Sequence, residues 1–111
     1  MLNKLKSIPV EDLIKILSLL PKDIKISFDP DIIDGELTDM DLDIVVEDAG
    51  HDYNIGYVSV PNLEEELFSF TLFIQKRKAG HTDYINEKIE ELYNVGTRIM
   101  QDASVKCNVI R

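Results

Sequence analysis

Hydrophobic and polar positions along this chain alternate with two different periods. Between residues 8 and 20, Leu13, Ile14, Leu17 and Leu20 recur at helical spacing. Ser7 is placed to cap that helix and Pro9 suits its first turn. Glu11 and Asp12 complement the positive end of its dipole, and Pro21 stops it. From 23 to 28 the period falls to two, with Ile24, Ile26 and Phe28 on one side, which predicts a strand. The following Asp29-Pro-Asp-Ile-Ile-Asp-Gly-Glu-Leu is rich in turn formers and reads as a loop.

A second strand is predicted over 40–47, with Met40, Leu42, Ile44 and Val46 facing inward and Asp39, Asp41, Asp43, Val45 and Glu47 facing outward. Asp48-Ala-Gly-His-Asp52 reads as a hairpin loop leading to a third strand at 53–60. Pro61-Asn62 ends it, Glu64-Glu65-Glu66 follow, and a fourth strand rich in β-branched and aromatic residues covers 67–75. After Lys76-Arg-Lys-Ala-Gly80, Thr82 caps a second helix whose apolar stripe is Ile85, Ile89, Leu92 and Ile99, with Gly96 allowing close packing on the sheet. A last strand at 104–110 places Val105, Cys107 and Val109 on one side. The order α-β-β-β-β-α-β predicts a single α+β domain over 1–111, a mainly antiparallel sheet with two helices packed on one face.

Length and composition agree with that outline. The 111 residues are 44% apolar and 30% charged, enough for one core and too hydrophobic for disorder. The single Cys107 rules out an internal disulfide and a cysteine-based zinc site, and it is expected to face the core as a small hydrophobe. Glu11, Asp12 and Lys15 interrupt what would be the apolar region of a signal peptide, and no apolar run approaches the ~18–20 residues of a membrane span. The expectation is a cytoplasmic protein with no membrane contact.

Charge changes the picture most. Twelve Lys and Arg against 21 Asp and Glu give a net charge of −9, which argues against direct binding of nucleic acid. The charge is also segregated: from Asp29 to Glu66 there are 13 acidic residues and no Lys or Arg. On a strand, Asp39, Asp41 and Asp43 form a line of carboxylates about 6.6–6.8 Å apart, although Asp is a poor strand former. Such a row serves either as a solvated face that keeps the protein soluble or as a docking surface for a basic partner. Mimicry of a nucleic-acid backbone is limited by magnitude, because duplex DNA carries one charge per ~1.7 Å and one strand of aspartates is too sparse. A second row would be needed, for which Asp29, Asp31 and Asp34 or Glu64–Glu66 are the candidates.

Other chemistry has less support. Asp29-Pro-Asp-Ile-Ile-Asp-Gly misses the calcium-loop spacing, with Ile33 at position five and the glycine one residue late, so no metal ligand is assigned. His51 and His81 are the only histidines, and no Ser or Cys stands in a nucleophile motif. Lys76-Arg77-Lys78 lacks the phosphate-loop pattern and reads as a solvated basic loop, or one that meets the acidic block of a second copy. The chain therefore reads as a non-enzymatic acidic binding or inhibitor protein without a cofactor, of the kind seen in immunity proteins and phage inhibitors, an analogy of size and charge alone. It would dock on a basic, nucleic-acid-handling surface through Asp39, Asp41, Asp43, Glu47 and Asp48, with Tyr53 and Tyr57 as aromatic anchors. The alternative is an acidic chaperone-like or scaffold homodimer that binds through apolar surface.

Overall fold

Residues 2–3, 5, 7–73, 82–99 and 105–110 are described by the structure, a computed structural model. They form β1 (Leu2–Asn3), α1 (Val10–Ser18), β2 (Lys25–Ile33), β3 (Glu36–Asp48), β4 (His51–Ser59), β5 (Phe68–Phe73), α2 (Thr82–Ile99) and β6 (Val105–Ile110). β2, β3, β4 and β5 lie side by side and antiparallel, each paired with the next. The chain then crosses through α2 and adds β6 parallel to β5. The two-residue β1 runs parallel to the start of β3. This is an α+β fold with a mixed, mostly antiparallel sheet.

Alternation on the strands sorts the two faces. Leu42, Ile44 and Val46 of β3, Ile55 and Val58 of β4, and Phe68, Phe70 and Leu72 of β5 are buried together with Val105 of β6. Both helices cover this face. Ile85, Ile89, Leu92 and Val95 of α2 join the core, and a methyl placed on Gly96 would lie 3.3 Å from the Cys107 sulfur and 3.8 Å from the Phe70 ring. α1 contributes Ile16, which lies near Phe68 and Val105. Burying each such side chain stabilises the fold by roughly 1.5–3 kcal/mol, which is why the sheet keeps its helices on one side.

Two tight turns set the register. Asp34-Gly35 joins β2 to β3 and Ala49-Gly50 joins β3 to β4, with all four residues at positive φ (51°, 77°, 54° and 80°). Two consecutive left-handed residues are the signature of the type I′ turn, whose twist matches that of the strands it links.

Three sequence expectations are corrected. Residues 29–33 are strand rather than loop: Val60 N–H donates to Met40 C=O at 3.0 Å, so the main chain of Met40 is turned toward β4. Its partner across the ladder, Pro30, therefore has its nitrogen directed to the open edge, where a missing N–H breaks no bond. Ser7 does not cap α1. Pro9 occupies that position with no side-chain cap, its carbonyl accepting from the N–H of Asp12 and Leu13. The inward residues of α1 are Leu13 and Ile16, joined by Leu20 just beyond its end, while Ile14 and Leu17 are exposed. Lys76–Gly80 and His81 lie outside the described residues, as does the side chain of Thr82.

Candidate functional site

No described helix covers the opposite face of the sheet, and the acidic residues of β2 and β3 meet there. β3 directs Asp39, Asp41 and Asp43 away from the core. β2 runs antiparallel beside it in a register that puts Asp29 directly across from Asp41, and Asp31 across from Asp39. Facing residues on paired strands are about 4.5–5.5 Å apart at Cβ, and successive residues on one face about 6.6–6.8 Å. Five aspartates thus form two parallel rows. The second row is Asp29 and Asp31, two of the three residues of the first candidate set, and it exists because β2 extends where a loop was expected.

Among the described residues little offsets this charge. Among the described residues no Lys, Arg or His lies within 4 Å of any of the five carboxylates. Partial burial pushes the Asp41 carboxyl above its ordinary pKa. The Ser59 hydroxyl, donating at 2.7 Å, pulls against that shift, while Asp31, Asp39 and Asp29 reinforce it. Asp43 is raised in the same way, by burial first and by Asp29 second.

The field continues around the end of β3. Asp34, Glu36, Asp39, Glu64 and Glu65 line a cleft with Ile33, Thr38 and Asn62. Asn62 builds it. Its buried amide donates to Thr38 C=O at 3.1 Å and to Asp39 Oδ1 at 2.6 Å, and its Oδ1 accepts from the N–H of Glu64 (2.9 Å) and Glu65 (2.7 Å). One side chain therefore holds the glutamate loop against the aspartate strand. Despite this crowding, no group of three or more His, Cys, Asp or Glu among the described residues is arranged to hold a metal ion.

The other candidate residues separate. Glu47 shares the outward face but is paired with Lys25, which also reaches Asp52 at 3.7 Å. That hydrogen bond pulls the Glu47 carboxyl below its usual range and raises the Lys25 ammonium, so one end of the field is neutralised. Asp48 sits at the Ala49-Gly50 turn on the core side, with its Oδ2 buried and without a hydrogen-bond partner.

Tyr53 and Tyr57, four residues apart, would share a face on a regular strand. They do not share one here. Val45 pairs with Asn54 and Ile44 with Gly56, so Ile55 is an extra residue in β4 and the alternation shifts by one. Asn54 Oδ1 accepts the Gly56 N–H at 3.0 Å and fixes this bulge. Tyr53 consequently packs against the core, and His51 meets its ring edge-on. Tyr57 stays on the open face across from Asp43 and leans on Phe73, with ring centres 5.9 Å apart. Asn62 and the bulge were missed by reading the sequence, although Asn-x-Gly inside a strand is a bulge signal.

Comparison with protein-family models, with curated proteins and with solved structures finds no match for the chain. Among the described residues no helix is long and apolar enough to cross a membrane.

Proposed function

We propose that the acidic sheet face docks on a basic surface of another protein, one that otherwise holds nucleic acid, and blocks it. The observation that carries this reading is the facing register of Asp29 with Asp41 and Asp31 with Asp39, on a face where no described Lys, Arg or His lies within 4 Å of these carboxylates. Magnitudes refine the partner. Two rows with a charge every ~6.7 Å amount to one charge per ~3.4 Å, the density of a single nucleic-acid strand and half that of a duplex. The field suits a groove that tracks one backbone. Tyr57 with Phe73 supplies the aromatic contact beside it, as bases stack on aromatic rings in such grooves. The protein acts without catalysis and in the cytoplasm, in keeping with its acidity and lone thiol, and its own charge repels nucleic acid.

The test is displacement of a labelled single-stranded oligonucleotide from a purified single-strand-binding OB-fold protein, run beside displacement of a duplex from a homeodomain. The expected result is salt-sensitive displacement of the single strand, weaker displacement of the duplex, and loss of both on changing Asp39, Asp41 and Asp43 to Lys. Displacement that survives the charge reversal, or none from either protein, defeats the reading.

A further inference from the structure

β2 carries Asp29 and Asp31 on one face and a different chemistry on the other. Alternation puts Phe28, Pro30 and Ile32 on its reverse, where they face Leu42, Met40 and Leu37 of β3. This is the side on which the core lies, yet the helices do not reach its border. Phe28 is 72% and Ile32 52% exposed, and Pro30 is exposed between them, while Leu42, one strand in, is buried. Among the described residues β2 pairs only with β3, so both of its side-chain rows stand at the rim of the sheet. An apolar row left in water and bordered by charge marks an interaction surface.

Charge selects the occupant. Asp29, Asp31 and Asp34 stand within two residues of Phe28 or Ile32, and no Lys or Arg occurs between Asp29 and Glu66. An anionic membrane surface and a second copy of net charge −9 are both repelled at this rim, whereas a basic protein is drawn to it. Pro30 lacks the donor that strand addition needs, so what β2 offers a partner is its side chains rather than its backbone.

A single nucleic-acid strand has the same two-sided character, with charge along its backbone and flat, apolar base faces opposite. Grooves that hold it combine cationic side chains that track the backbone with aromatic rings on which the bases stack. We infer that β2 enters such a groove of the basic partner edge-on. Asp29 and Asp31 lie against its cationic side, and Phe28, Pro30 and Ile32 against the aromatic rings that otherwise receive bases. This rests on the proposed docking of the acidic face and specifies how the partner grips it, from both sides of one strand.

The test is displacement of a labelled single-stranded oligonucleotide from the purified OB-fold protein by a chain carrying Phe28→Ser and Ile32→Ser together. Displacement should weaken by about tenfold or more, with its dependence on salt unchanged because no charge is altered. Phe28→Tyr, which keeps the ring, should displace as the native chain does. In the native chain the Ile32 methyl resonances should shift on binding the OB-fold protein, a readout that stands whether or not the serine variant folds. A serine variant as potent as the native chain, or Ile32 methyls that do not move, overturns the inference and leaves the acidic docking standing. A native chain that displaces nothing ends both. Sedimentation of the native chain as a dimer and of the serine variant as a monomer would give the apolar row to a second copy and overturn the inference as well.

Discussion

Asp29 and Asp41 face each other across the β2–β3 ladder, two carboxylates with no described cation in reach. Like charges directly opposite on a sheet destabilise it, and here burial adds to the effect at Asp41. A carboxyl raised above its unfolded value of 3.8 opposes folding while it is ionised. The penalty is complete above the folded-state pKa and vanishes as pH falls through it. Asp41→Asn, which keeps an acceptor for Ser59, should therefore raise the urea midpoint at neutral pH and low salt. Its advantage should shrink on acidification toward pH 4 and on adding salt. An advantage that is constant with pH would show that charge is not its source.

Lys88 works with the opposite sign. Its ammonium binds Asp23 at 2.6 Å and Glu91 at 3.0 Å and lies 5.6 Å from the centre of the Tyr84 ring, tying α2 to the segment before β2. The hydrogen bond to Asp23 raises Lys88 and lowers Asp23. Stability from the lysine is present below pH 10.5 and lost as pH rises through its elevated pKa. Stability from Asp23 is present above 3.8 and lost as pH falls through its depressed one. Lys88→Ala should cost about 1–2 kcal/mol at pH 7, part of it from the buried stem, and less at pH 2. Thermal melts at the two pH values check this.

Two glycines should respond differently to the same change. A methyl on Gly56 would stand 2.5 Å from Thr71 C=O and 3.3 Å from Leu72 Cα, where only backbone can yield. Gly56→Ala should destabilise by about 3 kcal/mol or more. At Gly96 the nearest atom is the Cys107 sulfur at 3.3 Å, and alanine gains up to about 1 kcal/mol of helix propensity. Gly96→Ala should stay within about 1 kcal/mol of the native protein. Denaturant titrations of the two variants give the comparison, and a tolerated Gly56→Ala would contradict the close β4–β5 approach.

Ala49 holds φ at 54°, a left-handed conformation that Asn tolerates better than Ala. Ala49→Asn should raise stability by about 0.5–1 kcal/mol, measurable as a higher urea midpoint. The Asp34-Gly35 turn already has a suitable pair and offers no similar gain.

Much of this architecture was legible in the sequence. The inward set Leu42, Ile44 and Val46 and the outward aspartates of β3 follow from a period of two, and the stripe Ile85, Ile89 and Leu92 from a period of 3.6. The second acidic row was among the candidates, but its strand was hidden by local chemistry. Pro30 and the flanking aspartates signal a turn, and only pairing with β3 makes them a strand. Asp34-Gly35 was the overlooked sign of that hairpin. Tyr53, expected as an anchor together with Tyr57, packs against the core instead of sharing its face, because parity counting cannot register an extra residue and Ile55 is that residue. The pairing of Lys25 with Glu47 joins positions 22 residues apart and has no local signal.

Pro30 has a last consequence, for the size of any assembly. Sheets that offer an open border on both sides can add copies without end, which is how fibres grow. Here one border is closed by a residue that cannot donate and by charges that repel. A strand from another chain laid along β2 would lose a ladder bond at Pro30 and meet the charges of Asp29 and Asp31, so endless addition at this border is disfavoured.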